Sequence, residues 1–404
     1  MLKYYLYILI AIVICSCSTS PFVEEPDIET VVPGLYVATN KPLAAVKTET
    51  GDNDESAGED EETEAETTDE MIIDSFDENS ILYFSQMGST ATPNFPEGLN
   101  DGNYDENAQP YCYRYKYNPA DATANWDRGY NFTCLDGAKS FNWNEVPGLG
   151  SVGNAFSFFA MYFPGDNKIK WAVQTDQSEK ENFIKSDIMG AYHATSTLYT
   201  RLRFNLFHLM VYLKVTIYVP TYKADINNDN YNYSGFNEDA VIGAYVLNAK
   251  TGFTIDWRAV RSSDRMAPLT QSNNPSSNIK MFSHPATGTI KTIDVRDYYN
   301  GGTIPQDDVR AYTFSVIFPS QPFGDNFLCF ALKGEDNTPR YFYFSGSQIV
   351  GDSGNYSLSQ GTLQELTLYL PRNSNETILV GANILPWKDS VTDMTVTKDP
   401  PKKD

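Results

Sequence analysis

Apolar residues recur at every second position in a series of short segments along this chain, and no long stretch carries them at helical spacing behind a capping signal. That confines the chain to β architecture. The stretch from Arg201 to Val219 constrains it further. Leu202, Phe204 and Leu206 are apolar at even positions, then Phe207, Leu209, Val211, Leu213, Val215, Ile217 and Val219 at odd ones. Strand side chains alternate between faces, so a bulge, turn or helical interruption must separate two strands near Phe207-His208. The 404 residues suggest two domains, and 41% hydrophobic residues, with 27 Tyr and 23 Phe, suffice to fill a core in each.

Other strand signals bracket this break. Asn154 to Gly165 is an aromatic run on both faces, stopped by its Pro164-Gly165, while Lys168 to Gln174 alternates as a half-buried strand should. Asp176-Gln177-Ser178 and Lys185 to Ala191 read as a loop and a short turn between strands. Val219-Pro220 through Asn237 is polar and reads as an interdomain linker or a long surface loop. Its start, Asp225-Ile226-Asn227-Asn228-Asp229, resembles a calcium loop, but Asn230 and Phe236 occupy the sixth and twelfth positions, so EF-hand geometry fails. Further strands are expected at Ala240 to Leu247, Gly252 to Trp257, Tyr312 to Phe318, Phe327 to Leu332, Arg340 to Phe344, Leu363 to Leu370 and Thr377 to Leu385. The expected fold class is all-β, with two antiparallel β-sandwich domains at 81–222 and 223–388.

Thirty basic against 52 acidic residues leave a net charge of −22, which repels a phosphate backbone and removes nucleic acid as a partner. His193, His208 and His284 are scattered, and no CxxC pair exists, so neither a three-histidine metal site nor zinc-ribbon chemistry has its residues. His208, at the parity break, reads as a hydrogen-bonded structural residue. No spacing places two carboxylates across a cleft for glycoside hydrolysis. The expectation is therefore no catalytic residue, no metal and no cofactor.

The N-terminus is a targeting segment. Met1-Leu2-Lys3 precedes an apolar stretch from Tyr4 to Ile14, short for a membrane span and of signal-peptide length. It ends in Ile14-Cys15-Ser16-Cys17, which looks like a bacterial lipobox: residues 1–16 form the lipoprotein signal and Cys17 receives lipid. The alternative is a plain secretory signal with two incidental cysteines. In the exported chain Cys112 and Cys134 are a candidate disulfide, and Cys329, in an apolar run, reads as an inert buried thiol. Residues 17–80 are expected to form a tether. Within it, Thr30 to Ala38 is a short strand or an extended tether, and Glu49 to Glu70 holds twelve Asp or Glu and no Lys or Arg, as a solvated, disordered spacer would.

Several pieces, taken in order, resemble the fimbrillin family, the lipoprotein-derived pilus subunits of Gram-negative anaerobes. They are the Cys17 lipobox, Tyr162-Phe163-Pro164, Val173 with Asp176-Gln177-Ser178, and Ser186-Asp187-Ile188-Met189-Gly190-Ala191. Phe204 with Phe207-His208-Leu209, Ile317-Phe318-Pro319 and Val380-Gly381-Ala382-Asn383-Ile384-Leu385-Pro386-Trp387 complete the series, which covers about Ile81 to Trp387. The resemblance implies transthyretin-like sandwiches, a structural or adhesive role in a fimbria of the outer membrane, and other fimbrillin subunits as partners. It also implies donor-strand addition, in which an N-terminal strand is lost and a neighbour's C-terminal strand fills the groove. The tail at 389–404 offers Val391, Met394 and Val396 as a donor strand, with a frayed terminus as the alternative. The chain departs from the pattern in having no arginine before Arg114, which speaks against maturation by an arginine-specific protease. That favours an anchor or accessory subunit that keeps its lipid, facing a host or bacterial surface ligand. A carbohydrate-binding outer-membrane lipoprotein, stacking sugars on Trp126 and Trp143, is the alternative from another functional class.

Overall fold

A computed structural model describes residues 34–39, 76–87, 92–98, 110–118, 130–143, 156–166, 168–195, 201–221, 240–257, 269–272, 274–286, 290–294, 306–333, 338–350, 356–371 and 377–386. Nearly all of its regular structure is β. The signal segment with Cys17, the acidic run from Glu49 to Glu70, Trp126, and the tail with Val391, Met394 and Val396 lie outside the described residues.

The first half contains β1 (Gly34–Thr39), β2 (Ile81–Met87), β3 (Cys112–Tyr117), β4 (Tyr130–Cys134), β5 (Phe156–Tyr162), α1 (Lys180–Ile184), β6 (Met189–Thr195) and β7 (Arg201–His208). Its strands close into a barrel in the order β1-β4-β3-β2-β5-β6-β7. Alternation explains the filling. Leu82 and Phe84 of β2, Tyr113 and Tyr115 of β3, Phe156, Phe158 and Tyr162 of β5, and Leu202, Phe204 and Leu206 of β7 form one buried cluster with Phe141 and Trp143. Phe84 sits at its centre, with ring centroids 5.0 Å from Tyr113, 5.6 Å from Phe141 and 5.7 Å from Phe204. The other parity, Tyr83, Phe159 and Met161, is equally buried on the opposite face and joins a second cluster that extends into the other half of the chain. The two-sided aromatic character of β5 therefore reflects two cores, one on each face.

The second half contains β8 (Val211–Pro220), β9 (Val241–Ala249), β10 (Phe253–Ile255), β11 (Leu269–Gln271), β12 (Ser277–Lys280), β13 (Phe282–Ser283), β14 (Ile290–Asp294) and β15 (Gln306–Phe318). Then come β16 (Pro322–Phe323), β17 (Leu328–Lys333), β18 (Pro339–Phe344), α2 (Ser347–Val350), β19 (Tyr356–Ser357), β20 (Thr362–Tyr369) and β21 (Ile378–Pro386). A four-stranded sheet, β12-β9-β17-β18, faces a six-stranded one, β13-β15-β8-β20-β21, with β14 also paired to β15. Leu213, Val215, Phe314, Val316, Leu366 and Leu368 of the larger sheet share a core with Val246, Leu328, Phe330 and Phe342 of the smaller.

Four sequence expectations need correction. The sheets divide at Leu209-Met210 and not at 222, because β8 pairs with β15 and β20; the parity break marks this change of sheet. Pairing is not wholly antiparallel, since β1 runs parallel to β7 and β8 parallel to β20. Lys168 to Gln174 is no ladder strand: its alternation buries Ile169 and Val173, but its pairing with a neighbouring backbone is an isolated bridge between Ala172 and Gly252, made by the Val173 N–H to the Thr251 carbonyl and the Phe253 N–H to the Trp171 carbonyl. Finally, Met189-Gly190-Ala191 opens β6 and is not a turn.

Candidate functional site

Five of the pieces of sequence quoted above, those lying between Tyr162 and Pro319, meet at the junction of the two halves, where Phe163, Val173, Ile188, Leu209, Ile317 and Phe318 share one core. Ser178 donates from its backbone N–H (3.0 Å) and hydroxyl (2.6 Å) to Asp176 Oδ1, which lowers the Asp176 pKa and fixes a tight loop. That loop aims Gln177, fully buried, at β15. The Gln177 Nε2 donates to the Ile317 carbonyl at 2.7 Å and to the Gln174 carbonyl at 3.0 Å, while its Oε1 accepts from the Ile317 N–H at 2.9 Å. β13 pairs with β15 only at Phe314 and Ser315, so the Gln177 amide takes over the role of a neighbouring strand where β13 ends. The Gln177 N–H also donates to the Lys280 carbonyl of β12 at 2.9 Å. One side chain and its backbone thus tie both sheets of the second half to the segment that leaves the barrel.

Ser186 and Asp187 extend the junction. Buried Ser186 donates to the Asn182 carbonyl at 3.0 Å and accepts from the Gln174 N–H at 3.1 Å. Asp187 Oδ1 lies 2.7 Å from His208 Nδ1, both residues buried, so His208 is the partnered structural histidine its position suggests. Next to them Tyr162 bonds Ser80 at 3.0 Å, and its hydroxyl pKa is pushed up to about 12 by burial. Gly190 packs closely here: a Cβ would lie 2.9 Å from Leu209 Cδ1 and 3.1 Å from Phe159 Cζ, so any larger residue would have to displace these side chains. Among the described residues no group of three or more His, Cys, Asp or Glu is placed to hold a metal ion.

The second feature is the closing strand. β1 pairs antiparallel with β4 at three positions, Leu35 to Val37, and parallel with β7 along all six of its residues, Gly34 opposite Arg201 through Thr39 opposite Leu206. The short strand, rather than the extended tether, is thus the observed state of this segment. β1 is reached from β2 only across residues 40–80, yet it satisfies the facing edges of both β4 and β7.

The proposed disulfide is not formed: Cys112, Cys134 and Cys329 are free thiols. The register explains why. Cys134 stands opposite Tyr115, three residues from Cys112, so the two cysteines face opposite sides of the sheet and belong to different cores. Burial raises the thiol pKa of Cys112 and Cys134, and pushes Cys329 up to about 11. In the folded protein at neutral pH, maleimide should modify half-exposed Cys134 well before Cys112 or Cys329, as peptide mass mapping would show; equal rates would contradict this placement. Trp143 is 1% exposed and packs against Phe141, Phe156 and Phe158, which removes it from any sugar-stacking platform.

No protein-family model and no curated protein sequence matches the chain. Solved structures do. One is a Bacteroides uniformis protein inferred to act in cell adhesion, at 12% identity and a TM-score of 0.42, covering 77% of this chain and 93% of that one. A Bacteroides ovatus protein of the same description has 10% identity and a TM-score of 0.43 over 88% of this chain and 96% of its own. A C-terminally truncated tip fimbrial protein of Porphyromonas gingivalis has 7% identity and a TM-score of 0.32 over 77% and 95%.

Proposed function

We propose that this chain is a structural or adhesive subunit of a surface fimbria, an anchor or accessory component without catalytic activity, joined to other fimbrillin-like subunits by donor-strand addition. One observation carries the reading: the barrel is closed by β1, a strand from the N-terminal side whose two neighbours, β4 and β7, depend on it for their outer ladder bonds. A strand so placed is replaceable. It leaves without unthreading any other element, and an incoming extended segment meets the same two rows of N–H and C=O groups. The candidate incoming segment is a neighbour's tail, with Met394 and Val396 on one face and Val391 before them.

In this reading lipid on Cys17 holds the subunit at the outer membrane; with β1 in place residues 18–33 lead from the lipid to the barrel, and the acidic run from Glu49 to Glu70 becomes the spacer between lipid and barrel once β1 is displaced. The Cys17→Ala variant should leave the membrane fraction and lose labelling by a fatty-acid probe; retention of both would sink the lipobox reading. Deleting Val391 to Asp404 should leave the barrel and sandwich folded yet abolish higher-order assembly, and unchanged assembly would rule the tail out as donor. The carbohydrate-uptake alternative loses support, because Trp143 is spent on the barrel core.

A further inference from the structure

Every long sheet edge among the described residues is closed or interrupted except one. The barrel has no edge. On the four-stranded sheet, β12 is bonded by Thr175 and Gln177, and β18 begins at Pro339 and has its Tyr343 carbonyl taken by the Thr377 N–H and hydroxyl. On the six-stranded sheet, β15 is covered in turn by β13, by Gln177 and by β14, a short outer strand carrying Lys291 and Asp294. These are the usual devices that stop strands from pairing with other molecules. β21 lacks them over most of its length. Its nine residues, Ile378 to Pro386, hold no charge, and among the described residues it pairs only with β20. Its outer side is capped at one point, where the Leu379 N–H donates to Gln348 Oε1 at 3.1 Å.

The side chains point the same way. In the β20–β21 register Ala382 stands opposite Leu366 and Ile384 opposite Gln364, so both lie on the face that carries the sandwich core. Leu366 and Gln364 are each 1% exposed, yet Ile384 one strand further out is 64% exposed. The apolar face of the sheet therefore continues past its cover.

We propose that β21 is an interaction edge that pairs antiparallel with β21 of a second copy of this chain, about a two-fold axis near Ala382. An extended strand is what open ladder groups take, and the copy is favoured by electrostatics and by pattern. With a net charge of −22, two copies repel wherever acidic surfaces meet, but the uncharged β21 contributes nothing to that repulsion. A two-fold axis perpendicular to the sheet keeps both core faces on one side, so each Ile384 joins a continuous apolar stripe across twelve strands in place of six. This contact leaves β1 in place and so goes beyond strand exchange in the barrel.

Sedimentation of the full-length chain tests it. Wild type should show a concentration-dependent dimer. Ala382→Asp, which sets two carboxylates opposite each other at the axis, should raise the dimer dissociation constant by about tenfold or more with an unchanged circular dichroism spectrum. Ala382→Cys should form a disulfide-linked dimer under mild oxidation, above the background from wild-type cysteines. A chain that stays monomeric without crosslinking, a dimer indifferent to Ala382→Asp, or a dimer that appears only after deletion of Val391 to Asp404 would each overturn the proposal. The last result would mean that the chain's own tail occupies the edge.

Discussion

Deleting residues 18–48, and β1 with them, is expected to remove the greater part of the barrel's stability while sparing the sandwich. The loss opens β4 at three paired positions and β7 at six. At about 1 kcal/mol net per backbone hydrogen bond this is several kcal/mol. Water also gains entry to the aromatic interior around Phe84, Phe132, Phe158 and Phe204. Since a domain typically has only about 5–15 kcal/mol in hand, the barrel should be marginal or unfolded at room temperature. Hydrogen exchange reads this directly, as lost amide protection in β2 to β7 with protection retained in β8, β15 and β20. A deletion that leaves β4 and β7 protected would show β1 to be peripheral.

Gln177→Met should have the next largest effect. Methionine fills the same space but makes none of the three side-chain hydrogen bonds, so the Ile317 N–H, the Ile317 carbonyl and the Gln174 carbonyl lose their Gln177 contacts in a buried place. At roughly 1–3 kcal/mol for each group left unsatisfied, the cost is on the order of 3–6 kcal/mol after relaxation. It falls on the contact between the two halves. Wild type should unfold in one calorimetric transition, because the cluster containing Phe159, Met161 and Val173 continues into Val215, Phe314 and Leu366. The variant should show two transitions, or one broadened at its low-temperature side. An unchanged single transition would mean that apolar packing alone couples the halves.

Strand content was readable because burial on alternate faces writes a period of two into the sequence. Phe204 and Leu206 against Leu209 and Val211 even marked the residues where the chain passes from barrel to sandwich. The position of that boundary was misread, since a polar linker after Val219 gives a louder compositional signal than two residues between strands. Lys168 to Gln174 shows the converse limit: alternation reports an extended, half-buried backbone, not whether a ladder partner exists. The Cys112–Cys134 pairing failed for want of register, which spacing alone does not supply. The junction was visible only as unassigned pieces. Gln177, Ser186, Asp187 and His208 were quoted as sequence marks, and their mutual contacts depend on long-range folding that brings Ile317 to Gln177 across 140 positions. β1 was half legible: Leu35-Tyr36-Val37 looks strand-like, but nothing local says that it fits between two strands more than 90 residues away.

The most direct measurement of strand replacement uses a chain cleaved within the acidic run, through a protease site inserted between Glu49 and Glu70, and a fluorescent peptide spanning residues 389–404. If β1 is the exchangeable closure of the barrel, the released N-terminal piece should dissociate and the peptide should bind in its place. Peptide uptake should then require cleavage, restore exchange protection to β4 and β7, and fall when Met394 and Val396 of the peptide are both replaced by Asp. An N-terminal piece that stays bound after cleavage, with no peptide uptake over the same period, would contradict donor-strand addition at this barrel.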